Sequence, residues 1–351
     1  MKNDRIVVGI SAGDINGIGY EVILKTLLDA RIMTNTIPVV YGSPKVAAYH
    51  RKALNIENFS LITIKSLEEV STKKPNIVNC LNDDIVVELG KSTAISGEAA
   101  FISLQTAVKD LKSKKLDVII TAPINKKNIQ SDKFNFPGHT EYLQKEFECN
   151  DVLMLMVSEI MKIGVVIGHQ PINKVAELIT TDKILSKLKI LNNSLKVDFK
   201  ISKPLIAVFG LNPHAGDDGV IGNEEKEIII PAIKKAQDEG IMAYGPFPAD
   251  GFFASGMFKK YDAILAMYHD QGLAPFKALC SDDGVNYTAG LPIVRTSPAH
   301  GTAYEIAGKG IASEESFRQA YYLACDIFKN RTEYYNLKEN AMKNYDISQI
   351  G

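Results

Sequence analysis

Short apolar runs rich in β-branched residues alternate along the chain with longer amphipathic segments. This alternation is typical of βαβ units, in which helices cover both faces of a parallel sheet. The predicted strands are residues 5–10, 38–41, 117–121, 152–157, 163–167, 205–209, 241–244, 263–267 and 292–295. The predicted helices are residues 19–30, 97–111, 181–195, 223–239 and 313–330. Because the strands are almost entirely apolar, we expect an α/β fold with a sheet buried on both faces.

The length of 351 residues suits two domains of moderate size rather than a single core. No internal repeat, low-complexity tract or long linker marks a boundary between them. Lysine and arginine total 40 against 41 acidic residues, which gives a formal net charge of -1. The chain therefore has no overall basic field for nucleic acid or an anionic membrane, and any anion binding must be local.

Cysteine usage and the distribution of apolar residues predict a cytoplasmic protein. The four cysteines are scattered and form no CxxC pair, which favours free thiols in a reducing compartment. Polar residues at the start run directly into a predicted strand, without an apolar signal region. The most apolar stretch, residues 151–169, contains Glu159 and Lys162, so we expect it not to span a membrane.

Three apolar strands are followed by a histidine at their carboxyl ends: His169, His214 and His269. One such histidine alone is more often an ordinary hydrogen-bonded residue than a ligand. Neutral imidazoles on three strands could converge on one divalent cation and leave an open position for a substrate. The three lie far apart in the chain, so their spacing leaves both interpretations open.

Two groups of residues are suited to anion binding. His139 and Thr140 follow a Pro-Gly turn and begin a helical segment, whose N-terminus can bind an anion, although a plain helix cap is the alternative. Lys277, Asn286 and Arg295 offer the donors that a phosphate needs. The alternative for these three is an ordinary solvated side chain.

Two glycine-bearing segments could let the backbone approach a cofactor closely. Residues 13–19 join the first strand to the first helix but lack the GxGxxG fingerprint of dinucleotide-binding folds. Residues 300–310 form a second loop of small residues. As bare patterns, such loops are more often simple connections.

Together these segments resemble the 4-hydroxythreonine-4-phosphate dehydrogenase family over essentially the whole chain. The matching blocks are GDINGIG at 13–19, TAPINK at 121–126, PGHTE at 137–141, GH at 168–169, GLNPHAG at 210–216, YHDQGL at 268–273 and GLPIVRTS at 290–297. Residues 17–19 and 300–310 are also similar to segments of isopropylmalate and isocitrate dehydrogenases. Those enzymes bind a dinucleotide without the GxGxxG fingerprint.

The resemblance implies two α/β/α domains of the isocitrate/isopropylmalate dehydrogenase-like type, with the active site in the cleft between them. A nucleotide-side domain would comprise residues 1–139 plus 300–351. Residues 140–299 would form the domain for metal, substrate and dimerisation.

The resemblance also implies a role for each candidate residue. The implied metal ligands are His169, His214 and His269, in a site completed across a homodimer interface and holding zinc, or alternatively magnesium or cobalt. The implied substrate-binding residues are His139, Thr140, Lys277, Asn286 and Arg295. The implied nucleotide-binding residues are His300, Gly301, Thr302 and Glu305. Glu305 would meet the ribose hydroxyls, so we expect NAD rather than NADP.

The sequence departs from the family at four positions. Ile15 and Asn16 stand where Pro-Ala is common, and Tyr20 where proline is usual. Ala299 replaces an acid frequently seen before His300. None of these departures removes a metal or substrate position; they bear on the nucleotide pocket and on the exact substrate.

The implied reaction is a metal-dependent, NAD-linked oxidation of 4-phosphohydroxy-L-threonine, followed by decarboxylation, in pyridoxal phosphate synthesis. The general base is open among Asp250, Asp270 and a metal-bound hydroxide, and capping is an equal alternative for each aspartate. A dehydrogenase of threonate or erythronate 4-phosphate would use the same residues. A dihydrodiol dehydrogenase would need neither Lys277 nor Arg295. From other classes, a metal-dependent phosphate-ester hydrolase and a binding protein are the alternatives.

Overall fold

The computed structural model describes residues 5–82, 84–280 and 282–340, which contain twelve strands. The strands are β1 (Ile6–Ser11), β2 (Thr36–Gly42), β3 (Ile62–Ile64), β4 (Asn76–Asn79), β5 (Val118–Thr121), β6 (Leu153–Val157), β7 (Lys162–Ile167), β8 (Ile206–Phe209), β9 (Ala243–Phe247), β10 (Ala263–Tyr268), β11 (Val285–Ala289) and β12 (Val294–Pro298). The α-helices are α1 (Gly19–Leu27), α2 (Ile32–Asn35), α3 (Pro44–Ala53), α4 (Ala94–Lys112), α5 (His139–Glu146), α6 (Ile172–Leu178), α7 (Thr181–Val197), α8 (Ile230–Asp238), α9 (Ala249–Ala254), α10 (His269–Leu279) and α11 (Glu315–Glu339).

All twelve strands form one sheet in the order β3-β4-β2-β1-β5-β12-β11-β6-β7-β10-β8-β9. The strands from β3 to β12 are parallel to one another, and so are those from β7 to β9. Between these two parts, β11 is antiparallel to both β12 and β6, and β6 is antiparallel to β7. The sheet is therefore mixed, and the expectation of a parallel sheet is wrong at its centre.

Short connections explain two of these three reversals, β6 to β7 and β11 to β12. Residues 158–161 join β6 to β7, and residues 290–293 join β11 to β12. Connections of this length suit a hairpin but cannot hold the crossover that parallel strands need. Gly290 opens the second turn at φ +92°, a left-handed conformation that favours glycine.

Every predicted strand and helix is present, with shifted ends. The strands β3, β4 and β11 are absent from the prediction. The predicted helix 223–239 begins as a π-helical turn, Glu225–Ile229, and continues as α8.

Apolar residues on both faces of the sheet are buried, as expected. In β5, Val118 and Ile120 belong to the apolar cluster that includes Phe317 and Tyr321 of α11. Ile119, between them, packs into a separate cluster with Leu104 of α4. Because successive side chains of a strand point to opposite faces, the two clusters lie on opposite sides of the sheet.

No helix within the described ranges has the length and apolar character that crossing a membrane requires.

The sheet is continuous through both predicted domains. β12, which the prediction assigns to the second domain, pairs with β5 of the first. Residues 1–4 and 341–351, at the ends of the predicted nucleotide-side domain, lie outside the described residues. The boundary between the domains stays a prediction.

Candidate active site

A cavity of about 270 Å³ lies over the central strands β5, β12, β11 and β6. Nine of the predicted site residues line it: His139, Thr140, His169, His269, Lys277, Asn286, Arg295, His300 and Gly301. The other five predicted residues, His214, Asp250, Asp270, Thr302 and Glu305, do not line it in the described chain. The fold thus gathers most of the candidates around one cavity although they are far apart in the sequence.

The guanidinium of Arg295 is buried at the floor of this cavity, with 2% of the residue exposed. It donates hydrogen bonds to Oγ1 of Thr121, at 2.7 and 3.1 Å, and to Oγ1 of Thr288, at 3.0 Å. Among the described residues, no carboxylate accepts a hydrogen bond from it. Burial lowers the pKa of Arg295 to about 10. A buried cation held only by hydroxyl groups is an incomplete ion pair, which an anionic ligand would complete.

Two buried polar atoms near Arg295 also lack hydrogen-bond partners among the described residues. His139 begins α5, whose N-cap residue Gly138 supplies no side-chain hydrogen bond. Nε2 of His139 and Oδ1 of Asn286 are inaccessible to solvent and have no hydrogen-bond partner in the described chain. Burial, reinforced by the charges of Arg295 and Lys126, holds the pKa of His139 well below its usual value, so the imidazole is neutral.

His169 and His269 form a pair at the other side of the cavity, with ring centroids 5.6 Å apart. Both follow neighbouring parallel strands, β7 and β10, so the strand ends bring them together. Nδ1 of His269 is 2.7 Å from Oδ1 of Asp270, and Nδ1 of His169 lies 3.9 Å from Oε1 of Glu141. The first distance is that of a hydrogen bond, and the second is too long for one. A carboxylate hydrogen-bonded to one ring nitrogen, as at His269, leaves the other nitrogen for a cation, which is the usual arrangement of metal-binding histidines.

Nε2 of His169 already faces a cation. It lies 3.2 Å from Nζ of Lys126, which comes from the segment after β5. The two histidines thus fit two positions of a metal site. Among the described residues, however, no group of three or more histidine, cysteine, aspartate or glutamate side chains is arranged to hold a metal.

His214 lies in an unusual loop that does not line the cavity. From His214 to Asp218, five consecutive residues have left-handed backbone angles, with φ from +44° to +80°. The buried carboxylate of Glu225 supports this loop by accepting the backbone N–H groups of Leu211 and Asn212, at 2.7 and 2.8 Å. The His214 side chain is exposed and outside the cavity of its own chain.

The two glycine-bearing segments predicted from the sequence contact each other. The N–H of Ile18 donates to the carbonyl of Thr302 at 3.0 Å. A Cβ at Gly17 would lie 2.7 Å from that carbonyl oxygen, so only glycine permits this approach. Glu305 is exposed in the 3-10 turn Tyr304–Ile306, and the Tyr304 hydroxyl donates to Asp14 at 2.7 Å.

The residues that depart from the family pattern near this segment are well packed. Tyr20 is fully buried and stacks on His50, with ring centroids 5.1 Å apart and planes 14° apart. The side chain of Asn16 donates to Thr93 and accepts the N–H of Glu88. These substitutions therefore leave the segment supported.

Neither of the two aspartates that are candidates for the general base lines the cavity. Asp250 is exposed in the first turn of α9. Asp270 is also exposed, and its contact with His269 suits a residue that orients the imidazole.

Lys126 and Glu141 are cavity residues that the sequence prediction missed. Both belong to family blocks, TAPINK and PGHTE, and Glu141 directly follows two predicted residues. That adjacency was the one available signal, because neither side chain has a distinctive spacing.

Comparison with known proteins gives consistent results. The profile of the family described as "Pyridoxal phosphate biosynthetic protein PdxA" matches residues 34–324. A 4-hydroxythreonine-4-phosphate dehydrogenase from Bacteroides thetaiotaomicron is 54% identical over 333 residues, which cover 94% of this chain and 91% of that protein. A protein from Oceanobacillus iheyensis, provisionally named D-threonate 4-phosphate dehydrogenase, is 37% identical and covers 92% of this chain and 97% of its own.

A solved structure shows the same likeness in three dimensions. The crystal structure of 4-hydroxythreonine-4-phosphate dehydrogenase from Klebsiella pneumoniae matches with a TM-score of 0.79 at 32% identity. The match covers 92% of this chain and 99% of that one. The predicted fold class is confirmed by this likeness.

Proposed function

Because the chain belongs to the family of the pyridoxal phosphate biosynthetic protein PdxA, we propose that it oxidises 4-phosphohydroxy-L-threonine with NAD as hydride acceptor. Oxidation of the C3 hydroxyl gives 2-amino-3-oxo-4-phosphobutanoate. This product is a β-keto acid, and loss of carbon dioxide converts it to 3-amino-2-oxopropyl phosphate. The names of the relatives support the oxidation, and the site supports a small phosphorylated hydroxy acid as substrate.

The observation that carries the proposal is the buried Arg295, to which the described part of the chain supplies no carboxylate hydrogen-bond partner. Arg295, Lys277 and Asn286 converge on the cavity and supply charged and neutral donors to a phosphate. The neutral His139 and the N-terminus of α5 add donors beside them. A ligand without phosphate, such as a dihydrodiol, would leave Arg295 buried and unpaired.

The histidine pair fits a divalent metal, with zinc as the first candidate and magnesium or cobalt as alternatives. His169 and His269 would hold it, while Asp270 orients the imidazole of His269 and the Glu141 carboxylate lies near that of His169. Since His214 is outside the cavity of its own chain, the third ligand in this proposal is a His214 from a second copy in a homodimer. When bound, such an ion supplies a Lewis acid beside the substrate hydroxyl.

The nucleotide would bind along the contact between the two glycine-bearing segments. His300 and Gly301 reach the cavity, and Thr302 and Glu305 continue away from it. The proposed role of Glu305 is to accept the ribose hydroxyls, which favours NAD over NADP. The proton acceptor in this proposal is one of Asp250, Asp270 or a bound hydroxide.

A second candidate substrate has its own support. The Oceanobacillus relative carries the name of a D-threonate 4-phosphate dehydrogenase. Threonate and erythronate 4-phosphates offer the same phosphate and carboxylate, and would satisfy Arg295 equally well.

The test is NADH formation with a panel of phosphorylated hydroxy acids, each with and without a chelator. We expect the highest kcat/KM with 4-phosphohydroxy-L-threonine and NAD, loss of turnover on chelation, and recovery on adding zinc or magnesium. Higher kcat/KM with a threonate or erythronate phosphate would assign the second substrate. Phosphate release without NADH would identify a metal-dependent phosphate-ester hydrolase instead.

A further inference from the structure

Lys126 reaches the histidine pair from the opposite part of the sheet. The residue follows β5, whereas His169, 3.2 Å from its ammonium, follows β7. Lys126 lines the cavity. Within the described ranges, no carboxylate forms an ion pair with it at 4.0 Å or less. The Lys126 ammonium can donate three hydrogen bonds, and the imidazole nitrogen of His169 accepts only one of them.

The cavity has more cations than the phosphate needs. Its cationic side chains are Lys126, Lys277 and Arg295, and its acidic one is Glu141. Arg295 is fixed to Thr121 and Thr288 on the central strands, and Lys277 lies close enough to His300 to lower the pKa of that imidazole, after the larger effect of burial. Lys126 is the cation on the side of the histidine pair.

We propose that Lys126 binds the carboxylate of the substrate. The inference rests on the proposed function, in which the substrate carries a phosphate at one end and a carboxylate at the other. The hydroxyl to be oxidised belongs beside the histidine pair, and the carboxylate is one carbon removed from the carbon that bears it. A carboxylate at that distance is within reach of a flexible lysine side chain that contacts His169.

The contact with His169 has a second consequence. One imidazole lone pair holds one cation, so Lys126 gives up Nε2 of His169 whenever that nitrogen binds a metal. Lys126 is therefore a competitor of the metal at His169 and is freed for the substrate when the site is loaded. Its removal takes a like charge away from the metal position and should not weaken metal binding.

The test compares Lys126→Met with the matched control Lys127→Met, since Lys127 is an exposed neighbour that does not line the cavity. Calorimetry on the zinc-loaded protein without nucleotide measures binding of two probes. The first is 4-phosphohydroxy-L-threonine, and the second is its analogue with the carboxylate reduced to an alcohol. Zinc affinity is measured separately by competition with a chromophoric chelator.

We expect wild type and Lys127→Met to bind the carboxylate probe at least about tenfold more tightly than the alcohol, the effect of a charge-assisted hydrogen bond. Lys126→Met should bind both probes as wild type binds the alcohol, with zinc affinity unchanged or raised. Retained preference for the carboxylate, equal weakening of both probes, or a tenfold loss of zinc affinity would overturn the inference. Failure of the proposed function is a different result, namely no NADH from wild type with any phosphorylated hydroxy acid.

Discussion

At the scale of single residues, the buried Arg295 and the partly buried Arg331 show how an arginine available to a ligand differs from an arginine that stabilises the fold. Among the described residues, Arg295 has only threonine hydroxyls as hydrogen-bond partners. Arg331, in α11, donates from Nε to Oδ1 of the buried Asp198 at 2.6 Å and also contacts the Tyr287 hydroxyl. Within the described ranges the desolvation of Arg295 is offset only in part, by the charge of Glu141, whereas that of Arg331 is compensated by a direct ion pair.

Opposite outcomes are expected when each arginine is replaced by methionine. Arg295→Met should leave thermal stability unchanged or higher but weaken binding of the phosphorylated substrate about a hundredfold or more. Arg331→Met should cost roughly 3–5 kcal/mol, because it leaves the Asp198 carboxylate buried without its partner. Urea unfolding and calorimetry measure both effects, and marked destabilisation by Arg295→Met would contradict a ligand-directed role.

His50 should make stability depend on pH. Its Nε2 lies 2.8 Å from the carbonyl oxygen of Ile15, and burial lowers its pKa below 6.5, against smaller opposing effects of that hydrogen bond and of Glu21. Below pH 6.5 the unfolded chain binds a proton that the folded chain refuses, so stability falls as the pH drops. His50→Gln should show a smaller fall in the free energy of unfolding between about pH 8 and about pH 5. Burial also lowers the pKa values of His139 and His300. An identical fall in the free energy of unfolding in wild type and His50→Gln would therefore assign the pH dependence to those two residues.

The sequence was sufficient to predict candidate residues for binding anions and metal. It was not sufficient to predict which of them lie next to each other in the site. Arg295 and Asn286 could be predicted because phosphate chemistry needs such donors. The burial of Arg295 could not, because it depends on hydroxyl groups of Thr121 and Thr288 that come from two other strands. Lys126 carries no local signal either, since its importance comes from a contact across 43 residues of sequence.

At the scale of elements, the loop that carries His214 depends on one carboxylate. Glu225 opens the π-helical turn before α8 and is 3% exposed. Besides two backbone N–H groups it accepts Nδ2 of Asn212 at 3.0 Å. A run of left-handed residues is intrinsically unfavourable, so these hydrogen bonds must offset its cost.

We expect Glu225→Gln to destabilise the protein by about 1–3 kcal/mol, because the amide nitrogen faces the donor of Asn212 and leaves buried groups unpaired. The exposed Glu227, in the same turn, is the matched control and should change stability by less than about 0.5 kcal/mol as glutamine. Zinc affinity should fall in the first variant and not in the second. Equal stability of the two variants in urea would show that the loop does not need Glu225.

Strands with a strong apolar run could be predicted from the sequence. The three strands absent from the prediction lack such a run. β3 has only three residues, and β4 begins and ends with asparagine. β11 reads VNYTA, an alternating pattern next to glycine that resembles a loop as much as a strand. It forms a strand because it pairs with β6 and β12, and such long-range pairing cannot be read from the local sequence.

At the scale of the whole molecule, the fold class could be predicted from the sequence because several family blocks occur in one chain. The mixed parallel and antiparallel order of the sheet could not be predicted.

The subunit arrangement can be tested by mixing two inactive variants, His169→Ala and His214→Ala. If each site takes His169 from one copy and His214 from another, mixed dimers contain one intact site. Random assortment should restore about a quarter of wild-type turnover. Should the mixture stay inactive while dimers exchange subunits, the proposed sharing of the site would be wrong.

The position of β12 in the sheet also bears on how the protein is made. It lies between β5 and β11, yet it is the last strand in the described chain to leave the ribosome. Domains generally fold from the N-terminus as synthesis proceeds, but here the earliest strands cannot join the later ones until residue 298 emerges. Nascent chains stalled before β12 has emerged should therefore be cut by protease between β5 and β6, and the released chain should resist.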